Sequence, residues 1–250
     1  MSVADDGPSA VAAARPAAAP RCPVCGGGAF VAFRGRPAER CKACGAHART
    51  RAAWLLLTEV CRIGPGSRIL HFAPEPSLAP KLRALCGDGY HPYDLDGARY
   101  RFDFPVGGCD LCLDIDRLFE PASFDVVMHN HVLEHLPCNY TVVLQKLHAL
   151  LKPGGHHVFS FPVGRSGSYR SDLSPSLGAR ERRLRFGQKD HIRRFTRVDF
   201  DRTVGMVFDL DHTYSLARFI PEDRLLAAQI PPPRWTLEMG PVFIVPKPEG

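Results

Sequence analysis

The chain has 250 residues, 45% of them apolar, with 32 lysines and arginines against 26 aspartates and glutamates for a net charge of +6. That is enough chain for one medium domain plus a small module, and such mild basicity permits a polyanionic partner without demanding one. No run approaches the ~18 apolar residues that a membrane span needs, and residues 1–20 carry Asp5 and Asp6 in place of the basic start of a secretory signal.

Residues 1–20 are rich in Ala and Pro, lack a hydrophobic period and read as a disordered tail. Cys22-Pro-Val-Cys25 and Cys41-Lys-Ala-Cys44 follow, separated by 15 residues. That C-x2-C…C-x2-C spacing is the signature of a zinc ribbon, placed here over residues 21–47. Four thiolates fill a tetrahedral shell, so Cys22, Cys25, Cys41 and Cys44 predict a structural Zn2+ with no open position. Cys61, Cys86, Cys109, Cys112 and Cys138 read as reduced core thiols, which favours a cytoplasmic setting.

A connecting helix and turn occupy 48–66: Arg49 to Cys61 presents Trp54, Leu55, Leu57 and Val60 on one face, and Gly64-Pro-Gly-Ser67 turns the chain. The larger domain spans 67–250. Strands are predicted at 68–72, 89–93, 110–115, 124–130 and 156–161, with helices at 77–85 and 139–151 between them. A helix over 196–204, a strand over 206–211, a helix opened by Pro221 and a strand over 242–245 complete the chain. This rhythm predicts an α/β fold, a doubly wound and mostly parallel sheet of seven strands.

In open α/β sheets ligands bind beyond the carboxyl ends of the strands. Those ends carry Glu75, Asp94 with Asp96, Asp114 with Asp116, and His129-Asn130-His131 followed by Glu134-His135. Acidic groups at adjacent strand ends suit a nucleoside-type ligand, and Asp94 lies about 20 residues past the first strand turn, where a ribose diol is held. Aspartates after strands also serve as turn formers and caps.

Phe124 to Leu136 (FDVVMHNHVLEHL) and Leu150-Leu-Lys-Pro-Gly-Gly155 resemble the fourth and fifth strand region of class I S-adenosylmethionine-dependent methyltransferases. His71-Phe-Ala-Pro-Glu75 and Phe186-Gly-Gln-Lys-Asp-His-Ile-Arg193 are similar to a narrower group that joins a zinc ribbon to this fold. The resemblance implies that Phe72, Ala73 and Glu75 line the methionine end of the cofactor. It implies that Asp94 takes the ribose hydroxyls, that Asp114 and Ile115 contact the adenine, and that Asn130 and His131 face the sulfonium. One departure stands out: prolines replace the Gly-rich first loop and cannot donate backbone N–H groups, which leaves Glu75 to pair with the cofactor's ammonium.

Methyl transfer from a sulfonium needs mainly in-line proximity, and a base only where the acceptor holds a proton. His191 and His131 are the candidate catalytic bases, with His135 beside them. Gln188, Asp190 and Arg193 are the candidate acceptor contacts, in a segment predicted to fold over the site. Residues 178–202 hold nine Lys/Arg against four Asp/Glu, which accommodates an acidic small-molecule acceptor. The alternatives are RNA methylation, for which stacking aromatics are sparse in this stretch, and a non-catalytic cofactor-binding protein.

Overall fold

The computed structural model describes residues 19–249, so the expected tail lies, over residues 1–18, outside the described part. An antiparallel hairpin, β1 (Phe30–Phe33) and β2 (Arg36–Cys41), joins the two cysteine pairs. Helix α1 (Ala48–Leu55) runs on through one wider turn to Val60. Then come β3 (Ile69–Phe72), α2 (Ala79–Cys86), β4 (Tyr90–Asp94), β5 (Gly107–Gly108), α3 (Ile115–Leu118), β6 (Phe124–Asn130), α4 (Tyr140–Ala149) and β7 (Leu151–Ser160). The last part holds β8 (Val163–Gly164), β9 (Arg170–Ser171), α5 (Ala179–Phe186), β10 (Arg193–Thr196), α6 (Gly205–Phe208), α7 (Glu222–Ala227) and β11 (Phe243–Pro246).

The main sheet has six strands rather than seven, in the order β11-β7-β6-β3-β4-β5. Strands β3 to β7 are parallel, and β11 closes the edge antiparallel to β7. The sixth predicted strand, 206–211, is instead the short helix α6 and a turn through Asp209 at φ +53°. Met206 is exposed there, so the stretch lacks the inward alternation a sheet strand needs. The predicted 196–204 helix starts at what is the end of β10: Phe195 is buried in the core and Thr196 pairs with Gly164 of β8.

Period-two pleating divides the core into two layers. Leu70, Phe72, Val127 and Phe159 point to one face, against α4 and the loop after β5. Ile69, Val126, Met128 and Val158 point to the other, against α2, the C-terminal segment and α1. Ala52, Ala53 and Leu55 to Leu57 belong to that second layer, so the predicted connector is part of the sheet's cover. Asn139 caps α4 by accepting the Thr141 backbone N–H at 3.0 Å. Among the described residues no helix is long and apolar enough to cross a membrane.

Candidate active site and metal centre

The carboxyl ends of β3, β4, β5 and β6 open onto one cavity of about 440 Å³, a size that suits a nucleoside-bearing ligand. Phe72 and Ala73 line it from β3, Asp94 and Leu95 from β4, Cys109 to Leu111 from β5, and His131 and Val132 from β6. Ala73 (φ +53°) and His131 (φ +57°) take left-handed backbone conformations at the ends of two neighbouring strands. Such strain in non-glycine residues clusters at functional sites. Asp94 is 8% exposed. Its Oδ2 accepts from Tyr100 Oη at 2.7 Å and Arg99 Nη2 at 2.8 Å, and its Oδ1 accepts the Asp96 N–H at 3.1 Å.

Four of the sequence-predicted cofactor residues, Phe72, Ala73, Asp94 and His131, therefore lie on the cavity. Asp114 and Ile115 do not. Strand β5 ends at Gly108, so the residues at its mouth are Cys109 to Leu111, and Ile115 is buried in the core. Asp114 instead accepts the Asp110 N–H at 2.9 Å and pairs with Arg117 at 2.8 Å, shaping the loop from behind. Glu75 and Asn130 also stand off the cavity wall. The Glu75 carboxylate accepts from Thr50 Oγ1 and from Asn130 Nδ2, each at 2.9 Å, with Arg49 at 3.6 Å. Asn130 in turn accepts from Ser160 Oγ at 2.6 Å. The pair braces β3, β6 and β7 against α1.

Of the segment 186–193, Asp190 alone lines the cavity. The Ile192 N–H donates to the Glu134 carbonyl at 3.0 Å, and the His135 ring Nδ1 donates to the Asp190 carbonyl at 3.1 Å. Gln188 is exposed and away from the cavity. Arg193 is corrected outright: it is 2% exposed, and its guanidinium donates to the carbonyls of Leu133 (3.1 Å), Leu136 and Cys138. It clamps the loop after β6 and lies buried, off the cavity wall. His191 is 7% exposed and sits behind the wall, not on it. Burial pushes its imidazole toward the neutral form.

Three histidines surround one buried carboxylate. Glu134 is 1% exposed, and its Oε1 lies 3.4 Å from His131 Nδ1, 4.0 Å from His135 Nε2 and 4.0 Å from His191 Nε2. None of these contacts is aligned as a hydrogen bond, and both carboxylate oxygens lack a donor. Burial alone would raise this carboxyl, but the facing His131 and His135 hold it below the ordinary range.

The four N-terminal cysteines meet as their spacing predicted. Their sulfurs all lie within 4.8 Å of one another, with Cys22–Cys44 at 3.8 Å and Cys25–Cys41 at 3.6 Å. Sulfurs ~2.3 Å from a central zinc would stand ~3.8 Å apart, so the donor set fits that ion. Both knuckles close alike. Gly26 N–H donates to the Cys22 carbonyl and Gly45 N–H to that of Cys41, with φ near +78° and +77°. Only glycine takes that conformation without steric cost. The reading of all five other cysteines as reduced thiols is corrected: Cys61, Cys86 and Cys109 are free, but Cys112 and Cys138 form a disulfide between the loops after β5 and β6, their Cα atoms 5.8 Å apart. The argument from reduced thiols to compartment falls with it.

The model of a methyltransferase domain matches residues 59–205. Among solved structures, trans-methyltransferase CalH in complex with SAH is 23% identical, over 48% of this chain and 40% of that one, with a TM-score of 0.36. An S-adenosylmethionine-dependent methyltransferase from Mesorhizobium loti is 21% identical, over 57% of this chain and 73% of that one, at 0.39. The Burkholderia thailandensis 1,6-didemethyltoxoflavin-N1-methyltransferase is 19% identical, over 80% of this chain and 78% of that one, at 0.45. The chain thus spans well under two thirds of the length of CalH. No curated protein matches. The domain match covers more than half of the chain, which therefore belongs to the methyltransferase-domain family, the S-adenosylmethionine-dependent enzymes of class I.

Proposed function

We propose that this enzyme methylates a small molecule rather than RNA, binding S-adenosylmethionine in the cavity at the ends of β3 to β6. The observation that carries the choice of acceptor lies in the basic segment. Its three aromatics, Phe186, Phe195 and Phe200, are all buried, so none offers a face on which a base could stack. Of its arginines, Arg185 is spent on Asp172 and Glu181, and Arg193 on the loop carbonyls.

When bound, the cofactor supplies a methyl group already activated on sulfur. Asp94 would take the ribose hydroxyls, Asp110 and Leu111 would flank the base in place of Asp114 and Ile115, and the apolar side chains of Phe72, Leu111 and Leu136 would keep water out. His131, on the cavity wall with its side chain about one-third exposed, is the group placed to accept a proton from an acceptor. The four-cysteine ribbon would hold Zn2+ as a structural ion.

Transfer of isotopically labelled methyl from S-adenosylmethionine into a cell extract tests this. Label is expected in the low-molecular-mass fraction. Label in the RNA fraction, with binding that falls steeply as salt rises, would replace this reading with RNA methylation.

A further inference from the structure

The Glu134 cluster is unexplained by methyl transfer alone. A buried carboxylate with no hydrogen-bond donor is an expensive thing to keep, and proteins retain one where a cation compensates it. Here both oxygens of Glu134 lack donors, while ring nitrogens of three histidines face Oε1 at 3.4 to 4.0 Å. The tautomer of His135 sharpens the problem. Its Nδ1 faces the Asp190 carbonyl at 3.1 Å, and a carbonyl only accepts, so that nitrogen carries a proton. Nε2 is then the ring nitrogen left to face the Glu134 carboxylate, at 4.0 Å too far for a direct hydrogen bond and with room for an ion between them. A ring nitrogen fixed by a backbone carbonyl while the other faces inward is how metal-ligating histidines are oriented.

We infer that Glu134, His135 and His191 bind a divalent transition-metal ion beside the cofactor cavity. This rests on the methyltransferase reading above and adds the class of acceptor. The ligand atoms of the three residues lie within 4.8 Å of one another. Donors ~2.1 Å from an ion stand ~3.4 Å apart in a tetrahedron, so the 4.0 Å separations from Glu134 to the two histidines must close by about 0.6 Å to complete the shell. The Ile192 to Glu134 backbone bond already ties the two segments together. Two imidazoles and a carboxylate suit zinc, manganese, iron, cobalt or nickel rather than magnesium or calcium, which prefer all-oxygen shells. Glu134 and His191 lie behind the wall and His135 on it, so the ion's remaining position faces the cavity. Three protein ligands and one open position is the pattern of a catalytic site.

The acceptor class that follows is a hydroxyl compound whose oxygen ligates the ion. Coordination weakens the O–H bond, and the proton leaves to water past His131. The oxygen forms a bond to the methyl carbon, the carbon–sulfur bond breaks, and its electron pair returns to sulfur. The products are a methyl ether and a neutral thioether.

Manganese(II) is the probe, because it avoids the thiolates of the ribbon. The zinc-loaded full chain, saturated with S-adenosylmethionine, is titrated with Mn2+ while free Mn2+ is followed by electron paramagnetic resonance. One ion per chain is expected, displaced by added Zn2+. Glu134→Gln is expected to weaken it at least 100-fold, and His135→Ala, at a half-exposed position where folding is not at stake, at least tenfold. A wild-type chain that binds no Mn2+, or binding that survives both substitutions unchanged, overturns the inference. Calorimetry with S-adenosylmethionine on the same samples separates the two readings. Cofactor binding without Mn2+ removes the metal site alone, and Mn2+ binding without cofactor binding removes the function alone.

Discussion

Asp94 ends β4 with its carboxylate met by Tyr100, Arg99 and the Asp96 N–H, yet a carboxylate has about four lone-pair sites and these three donors leave room for another. The two side chains fix its orientation toward the cavity before any ligand arrives. A hydrogen bond to a charged group contributes about 1.5–3 kcal/mol, so Asp94→Ala is expected to weaken S-adenosylmethionine binding about 10- to 150-fold. Calorimetry on the folded variant reads this directly, and unchanged affinity would remove Asp94 from the ribose site. Arg193 works at the same scale but toward a different end. Arg193→Ala strands three loop carbonyls that are largely shielded from water, each costing about 1–3 kcal/mol when left without a donor. With about 2–4 °C lost per kcal/mol in a chain of this size, a fall of at least about 6 °C in Tm is expected. A variant that melts like the wild type but loses acceptor affinity would return Arg193 to the acceptor site.

At the scale of elements, legibility in the sequence followed burial. Strands β3 and β6 were readable because they are short, largely apolar runs bounded by turn residues, with β6 buried at almost every position, while β4 showed itself by alternating burial between turn residues. The cysteine knuckles were readable because the spacing of the four thiols is a local property of the chain. Strand β5 was not: it consists of two glycines, and the predicted strand at 110–115 is the loop that follows it. That displacement put the expected adenine contacts at Asp114 and Ile115, whereas the residues lining the cavity after β5 are Asp110 and Leu111. The dipeptide Gly107-Gly108 was the available signal, because a Cβ at Gly107 would fall 2.2 Å from the Tyr93 ring. The Glu134 cluster was half legible. His131, Glu134 and His135 stand in one motif, but His191 joins them only through the docking of the segment after α5, which no local pattern encodes.

For the whole molecule, the ribbon and the catalytic domain share one buried cation. Arg51 is fully buried and donates to the Ala38, Glu39 and Ala46 carbonyls of the ribbon and to the Ala228 and Gln229 carbonyls of the C-terminal segment. Unfolding the ribbon would strand that guanidinium, so zinc chelation is expected to lower the melting temperature of the entire chain in a single transition. A catalytic domain that keeps its melting temperature after chelation would show two independent units. The sheet carries a second global dependence, on pH. His71 and His129 are fully buried beneath the cavity; His71 contacts Tyr90 Oη at 2.9 Å, and His129 Nε2 lies 3.2 Å from His157 Nε2. Burial lowers His71 to about 4 and His129 to about 3, and burial with the neighbouring His129 and His148 lowers His157 well below its ordinary value. These rings stay neutral in the fold, whereas the unfolded chain takes up their protons below about pH 6.5, so stability rises with pH across that window and is lost as pH falls from about 6.5 toward 4. At pH 5 the cost is about 2 kcal/mol for each of His71 and His129, a large share of the roughly 5–15 kcal/mol that holds a domain together. Ordinary carboxylates titrate mostly below that pH, so the loss between pH 7.5 and 5 reports mainly the histidines. A fall in Tm of about 8–16 °C over that interval is expected from calorimetry. A melting temperature that stays flat down to pH 5 would mean that these rings meet water or a counter-charge, and that the lower wall of the cavity is more open than the packing of β3, β6 and β7 implies.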